Sequence, residues 1–243
     1  MRGSVRLAAW ATAVLVTVVA CGSRLPPGPG PSTTESAGAR CGVFSRVPSA
    51  QVLFASDLSD RCQSLPTSVN PTVRALHDRE GYRIHLLSGP AEWAQELEPF
   101  HYYQAAPVDD VIVELDVEVV AGSGRGLFGT SCRSEGTRLR PGRWYVFFVG
   151  TDGSYLIEFN DLRQPPGTTR VLASGAGPLP NVGANRIRVD CVGTRLSLFL
   201  NGQLLAAVDD ESAATGLAGG LQIRSFEQTG LQVVFSDLLI MKG

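Results

Sequence analysis

The chain has 243 residues, 44% of them hydrophobic and 18% charged, with a formal charge of −2. Its lysines and arginines are dispersed singly, so there is no cationic stripe for nucleic acid and no polybasic patch for a lipid surface, and nucleic-acid partners are disfavoured. The roughly two hundred residues beyond position 40 suffice for one packed core, which makes a single domain over residues 41–243 the expectation.

The first twenty residues read as a targeting segment. Arg2 and Arg6 precede an uncharged stretch from Leu7 to Ala20 that is too short to span a bilayer comfortably. It closes in Val18-Val19-Ala20-Cys21, which resembles the bacterial lipobox, whose cysteine is lipidated and becomes the new N-terminus. The resemblance implies a signal peptide over residues 1–20 and an anchor at Cys21, on the extracytoplasmic face of a bacterial membrane. Each buried acyl CH₂ contributes roughly 0.8 kcal/mol, so two or three chains hold a protein without a spanning helix. Residues 21–40, with Pro26, Pro27, Pro29 and Pro31 among glycine, serine and threonine, have too few apolar groups to offset ordering and read as an extended tether.

Strand signals dominate the rest. Val111, Val113, Leu115, Val117 and Val119 alternate with Glu114, Asp116 and Glu118, the period-two pattern of a half-buried antiparallel strand. Further runs are Tyr82 to Leu87, Gly126 to Cys132, Trp144 to Gly150, Tyr155 to Phe159, Arg186 to Val192, Leu196 to Leu200, Leu204 to Val208, Gly219 to Ser225 and Gln232 to Met241. Asp152-Gly153 and Asn201-Gly202 fall between runs, in the dipeptide chemistry of primed hairpin turns. The glycine-rich stretch Gly122 to Gly126 reads as a hairpin loop, and Ala91 to Glu98, between Pro90 and Pro99, as a short helix. The sum is an all-β antiparallel two-sheet sandwich.

Besides Cys21 there are four cysteines, Cys41, Cys62, Cys132 and Cys191. An even number in an exported chain predicts two disulfides, with three connectivities open. Their spacing fits no zinc pattern, and His77, His85 and His101 are scattered.

The segments DVIVELDVEVV (Asp110 to Val120), GLFGTSCR (Gly126 to Arg133), WYVFFVGTDGSYLIEF (Trp144 to Phe159), NRIRVDCVGTRLSLFLNGQLLAAVDD (Asn185 to Asp210), GLAGGLQIRS (Gly216 to Ser225) and VVFSDLLI (Val233 to Ile240) together resemble the concanavalin A-like, laminin-G-like jelly roll, related to the 3-keto-disaccharide hydrolase-type domain. The resemblance spans roughly residues 111–241. It implies that Cys132 pairs with Cys191, leaving Cys41 with Cys62. Such domains serve as carbohydrate binders, protein binders or passive sandwiches, and fold does not choose among them.

Three constellations carry chemistry. Glu114, Asp116 and Glu118 share one strand face and resemble the E-x-D-x-E strand of retaining endo-glucanases of glycoside hydrolase family sixteen, which implies nucleophile, tuning carboxylate and general acid/base. The same alternation marks any solvent-facing strand. Asp209 and Asp210 offer hard oxygen ligands for calcium, the one cofactor the sequence suggests, although no calcium-loop pattern organises them. Trp93, Tyr102 and Tyr103 lie in a segment that the strand pattern does not claim and offer faces for stacking on a sugar.

The expectation is therefore a lipid-anchored, non-enzymatic binding or display domain, its partner a glycan or an envelope component. Two alternatives are a glycan-active enzyme, either a retaining β-glucan hydrolase or a 3-keto-sugar hydrolase or lyase, and a protein-interaction module.

Overall fold

The computed structural model describes residues 52–59, 65, 67–87, 91–96, 108–122, 125–135, 142–163, 166–216, 219–226 and 230–243, with the backbone alone for 91–96. Cys21, the tether, Cys41, Cys62, Tyr102 and Tyr103 lie outside the described residues.

Among the described residues there are strands and no helix. They are β1 (Val52–Ser56), β2 (Ser68–Val69), β3 (Val73–Asp78), β4 (Gly81–Leu86), β5 (Ala91–Glu96), β6 (Val111–Ala121), β7 (Gly126–Cys132), β8 (Arg143–Gly150), β9 (Ser154–Asp161), β10 (Thr168–Ala176), β11 (Ala184–Val192), β12 (Arg195–Leu200), β13 (Gln203–Asp209), β14 (Gly220–Ser225) and β15 (Gln232–Lys242). A nine-stranded sheet runs β13-β12-β11-β6-β15-β4-β3-β2, with β1 also on β15; a six-stranded sheet runs β10-β9-β8-β7-β14-β5. Both are antiparallel throughout, so the fold is the two-sheet sandwich that alternation predicts.

The interior is made by one residue in two. On β6 Val111, Val113, Leu115 and Val117 are buried, and they meet Tyr145, Phe147, Ile157, Leu221 and Ile223 of the other sheet in one core cluster. Each such side chain contributes about 1.5–3 kcal/mol of transfer free energy. The opposite parity of each strand faces outward, and those two outward faces hold the chemistry.

Turn residues set the strand pairings. Asn201 and Gly202 both take positive φ, 51° and 82°, the two-residue primed turn that β12 and β13 require. At Asp152-Gly153 only Gly153 has positive φ (79°), and its amide donates to the Gly150 carbonyl at 3.0 Å, so this hairpin closes with a three-residue loop in place of the expected primed turn. A bulge between Ser236 and Leu239, with Asp237 at φ 46°, divides β15, which pairs with β4 through Gln232 to Phe235 and with β1 through Leu238 to Met241.

Two expectations are corrected. Residues 91–96 form strand β5, in register with β14 from Gly220↔Glu96 to Ser225↔Ala91; a segment this short between prolines cannot offset helix nucleation, whereas an open sheet edge satisfies its backbone at once. Gly122 to Gly126 is no hairpin loop, because β6 and β7 belong to different sheets and the stretch carries the chain from one to the other.

Cys132 on β7 and Cys191 on β11 form a disulfide that ties the two sheets together across 59 residues of chain. Beside it lies Arg133, φ 52° and only 1% exposed. Its guanidinium donates to the carbonyls of Asp109 (2.7 Å), Gly193 (2.7 Å), Cys191 (3.2 Å) and Ala213 (3.3 Å). Burial pushes its pKa below the ordinary arginine value. A buried cation that caps four carbonyls fixes the strand ends at this pole of the sandwich.

Candidate functional site

The outward face of the nine-stranded sheet carries the acidic row of β6. Register places Arg186 of β11 opposite Asp116, and Arg188 opposite Glu114. Arg186 holds Asp116 at 3.0 Å and Glu114 at 2.9 Å, while Arg188 reaches Glu114 at 3.3 Å and Asp190 at 2.7 Å. For Arg186, burial works to lower the pKa, but the hydrogen bonds to Asp116 and Glu114 outweigh it and raise the value. Glu114, Asp116 and Glu118 thus share a face as the alternation predicts, and the first two are held by arginines from the neighbouring strand. Glu118 is exposed.

The two aspartates proposed for calcium are also engaged. Asp209 pairs with Arg195 at 2.7 Å. Asp210 accepts the Tyr145 hydroxyl at 2.7 Å, the Ser212 amide at 2.9 Å and Arg170 at 2.5 Å. Burial alone raises the Asp210 pKa, yet the bonds from Ser212 and Tyr145 carry it below the usual carboxylate value. The Tyr145 hydroxyl also accepts from the Ala213 amide at 2.9 Å, and burial first, with the nearby carboxylate, pushes its pKa up to about 12. Among the described residues no group of three or more histidines, cysteines or acids is placed to hold a metal.

The outward face of the six-stranded sheet is built differently. The parity that sends Tyr145, Phe147 and Val149 inward sends Trp144, Val146 and Phe148 outward, where they pack with Leu127 and Leu156 in a second apolar cluster. Polar groups are set among them. Arg224 of β14 and Glu158 of β9 form a two-pronged ion pair at 3.1 and 3.0 Å, their side chains 17% and 6% exposed. Two strands, β7 and β8, separate them, about 14 Å of sheet, so both side chains must lie flat across the face. Gly129 on β7 carries no side chain in that path, and a Cβ there would collide with the Phe147 carbonyl. The guanidinium rests over the Phe148 ring, 4.8 Å from its centre.

Next to this bridge, Ser131 and Gln222 are outward-facing by parity yet 1% and 2% exposed. Among the described residues the Ser131 hydroxyl and the Gln222 Nε2 have no hydrogen-bond partner. Each unpaired buried polar group costs about 1–3 kcal/mol, which random surface patterning does not retain. On the other side, half-exposed Trp144 stands opposite Asn160 in register. The Asn160 side-chain oxygen accepts the Thr169 hydroxyl at 2.6 Å.

The sequence reading gives Trp144 and Phe148 only as part of a strand run and assigns no role to Ser131, Gln222, Glu158 or Arg224. The alternation WYVFFVG was the available signal, since aromatics at both parities mean that both faces of that strand are covered. Of the aromatic candidates, Trp93 lies on edge strand β5 with its backbone opposite Ile223.

No protein-family model and no curated protein sequence matches the chain. Solved structures do. A protein of unknown function with a galectin-like fold from Bacillus subtilis superposes with a TM-score of 0.51 at 11% identity, covering 79% of this chain and 96% of that one. The carbohydrate-binding module CBM66 from Bacillus subtilis gives 0.49 at 18% identity over 70% of this chain and 92% of the other. A glycoside hydrolase family 16 endo-glucanase from Bacteroides ovatus gives 0.47 at 7% identity over 78% and 100%. The first of these, with the sheet order above, establishes the fold as an all-β jelly-roll sandwich of the concanavalin A-like kind.

Proposed function

We propose that this chain is a lipid-anchored, extracytoplasmic and non-enzymatic domain that binds carbohydrate on the outward face of its six-stranded sheet. The observation that carries the reading is Trp144, half-exposed and directly opposite Asn160, whose amide orientation is fixed by Thr169. An aromatic surface takes the C–H side of a sugar ring, and a fixed amide beside it takes hydroxyls. The acidic row on the opposite face supports a structural role under this reading, because Glu114 and Asp116 are each engaged by an arginine.

The test is titration of the protein with a panel of oligosaccharides by calorimetry. Binding to at least one, weakened about tenfold or more in Trp144→Ala, supports the reading. No binding above background across the panel and an intact cell-wall preparation overturns it, and turnover abolished by Glu114→Gln establishes the enzyme alternative instead. The anchor is tested separately: labelled palmitate enters the wild-type protein and not Cys21→Ala, and equal labelling of both contradicts it.

A further inference from the structure

We infer that the saccharide bound at Trp144 is a 6-deoxyhexose, a neutral sugar with a methyl group beside a hydroxyl, selected by Asn160 and Thr169 together with Leu162 and Val171; this rests on the reading of the same face as carbohydrate-binding. Thr169 stands opposite Asn160, and Asn160 opposite Trp144, so the three form one row across β10, β9 and β8. Thr169 is exposed and Trp144 half-exposed, so the row is open to solvent at both ends.

The polar pair in this row has a definite complement. The Thr169 hydroxyl gives its proton to Asn160 Oδ1 at 2.6 Å, which leaves Thr169 Oγ to accept and Asn160 Nδ2 to donate. A single ligand hydroxyl set between them accepts from one and donates to the other, closing a ring of hydrogen bonds that reinforce one another. An ether or a carboxylate has no proton to give and completes only half of it. Glu158, two residues from Asn160 on β9, is held by Arg224, so the charge beside the pair is balanced and an uncharged ligand suits it.

Apolar side chains frame the pair. Leu162 continues the run of β9, its amide donating to the Gly142 carbonyl at 2.8 Å, and shares the outward parity of Asn160. Its side chain lies against Gly167 and is 43% exposed. Val171, opposite Glu158 and two residues from Thr169, is 55% exposed. A hydroxymethyl group arriving against these surfaces loses water without a new partner, whereas a methyl group gains by burial. Thr169 and Val171 are about 7 Å apart along the strand, the reach of a methyl on the ring carbon next to the anchored hydroxyl plus one van der Waals contact.

The experiment uses the full-length protein in detergent, following the Trp144 indole resonance during titration with methyl α-L-rhamnoside and methyl α-L-fucoside. Their counterparts with a 6-hydroxyl, methyl α-L-mannoside and methyl α-L-galactoside, are titrated alongside. The wild type is expected to bind at least one deoxy sugar about fivefold or more tightly than its counterpart. The double variant Leu162→Asn/Val171→Thr should erase that preference. Thr169→Val should weaken binding of the deoxy sugar about tenfold, and Thr169→Ser should restore it. Equal affinities within both pairs, or a preference that survives in the double variant, overturn the inference and leave the reading of the face intact. Binding in Thr169→Val within about twofold of the wild type does the same, as does binding of other oligosaccharides with none of these four glycosides. Absence of all binding by the wild type, to these glycosides and to the oligosaccharide panel, overturns the reading itself.

Discussion

The two outward faces of this sandwich arise from the same period-two alternation, yet they solve different problems. On the nine-stranded sheet, β6 and β11 set carboxylates against arginines in register, and the partners Arg186 and Arg188 remain 32% and 41% exposed. That is a solvated ion ladder, individually weak and salt-screened. On the six-stranded sheet the Arg224–Glu158 ion pair lies nearly buried over an aromatic ring, beside polar atoms that have no hydrogen-bond partner among the described residues. The first face lowers its own free energy with what the chain provides. The second leaves hydrogen-bonding capacity unspent among the described residues, and the proposed ligand-binding role rests on that difference more than on any motif.

The contrast is most sharply drawn by removing one cation from each face. Arg224→Met leaves Glu158 charged and 6% exposed without its partner, an expected loss of about 3–5 kcal/mol in urea unfolding. The double variant Arg224→Met/Glu158→Leu should recover most of it, because two apolar groups replace a desolvated pair. A loss below about 1 kcal/mol for the single variant breaks the comparison. The disulfide that joins the sheets bearing both faces comes next. Cys132→Ser/Cys191→Ser should cost about 4 kcal/mol, as expected for opening a loop of this length, with the folded state otherwise unchanged by circular dichroism.

Tyr145 lies behind both faces and gives a pH signature. Its folded pKa of about 12 exceeds the ordinary 10.0, so the unfolded chain releases this proton first as pH rises. Stability is therefore intact below about pH 10 and is lost progressively between about 10 and 12, by about 2–3 kcal/mol from this group. Tyr145→Phe should abolish that portion of the alkaline loss, and an unchanged pH profile contradicts the assignment. The smallest effect is expected on the ion ladder. Arg186→Met should cost only about 1 kcal/mol, and its effect should shrink in 1 M salt.

Legibility followed the number of covered faces. β6 and β11 were readable because one parity is apolar and the other is not, β12 to β15 as short apolar runs between turn residues, and most observed ends fall within two residues of the run in the sequence. β10, at the edge of its sheet and exposed over most of Thr168–Ala176, has little apolar parity to read. β5, written Ala-Glu-Trp-Ala-Gln-Glu, carries helix-favouring residues that edge pairing overrides. The same limit applied to the sites. The acidic residues of β6 were visible as a row, but the arginines that engage them stand about seventy residues away and meet them only through strand register. Arg133 carries no role that the sequence alone reveals; that it caps four carbonyls depends on separate segments of the chain converging on it. Ser131 and Gln222 are unremarkable letters until their parity, burial and lack of partners are known together.

The central claim is that the six-stranded face, and not the acidic one, meets the ligand. It is tested most directly by following Trp144 indole, Asn160 amide and Arg186 guanidinium resonances while a bound oligosaccharide is titrated in. The account predicts that Trp144 and Asn160 shift with saturation and Arg186 stays in place; shifts confined to Arg186 and its β6 partners contradict it.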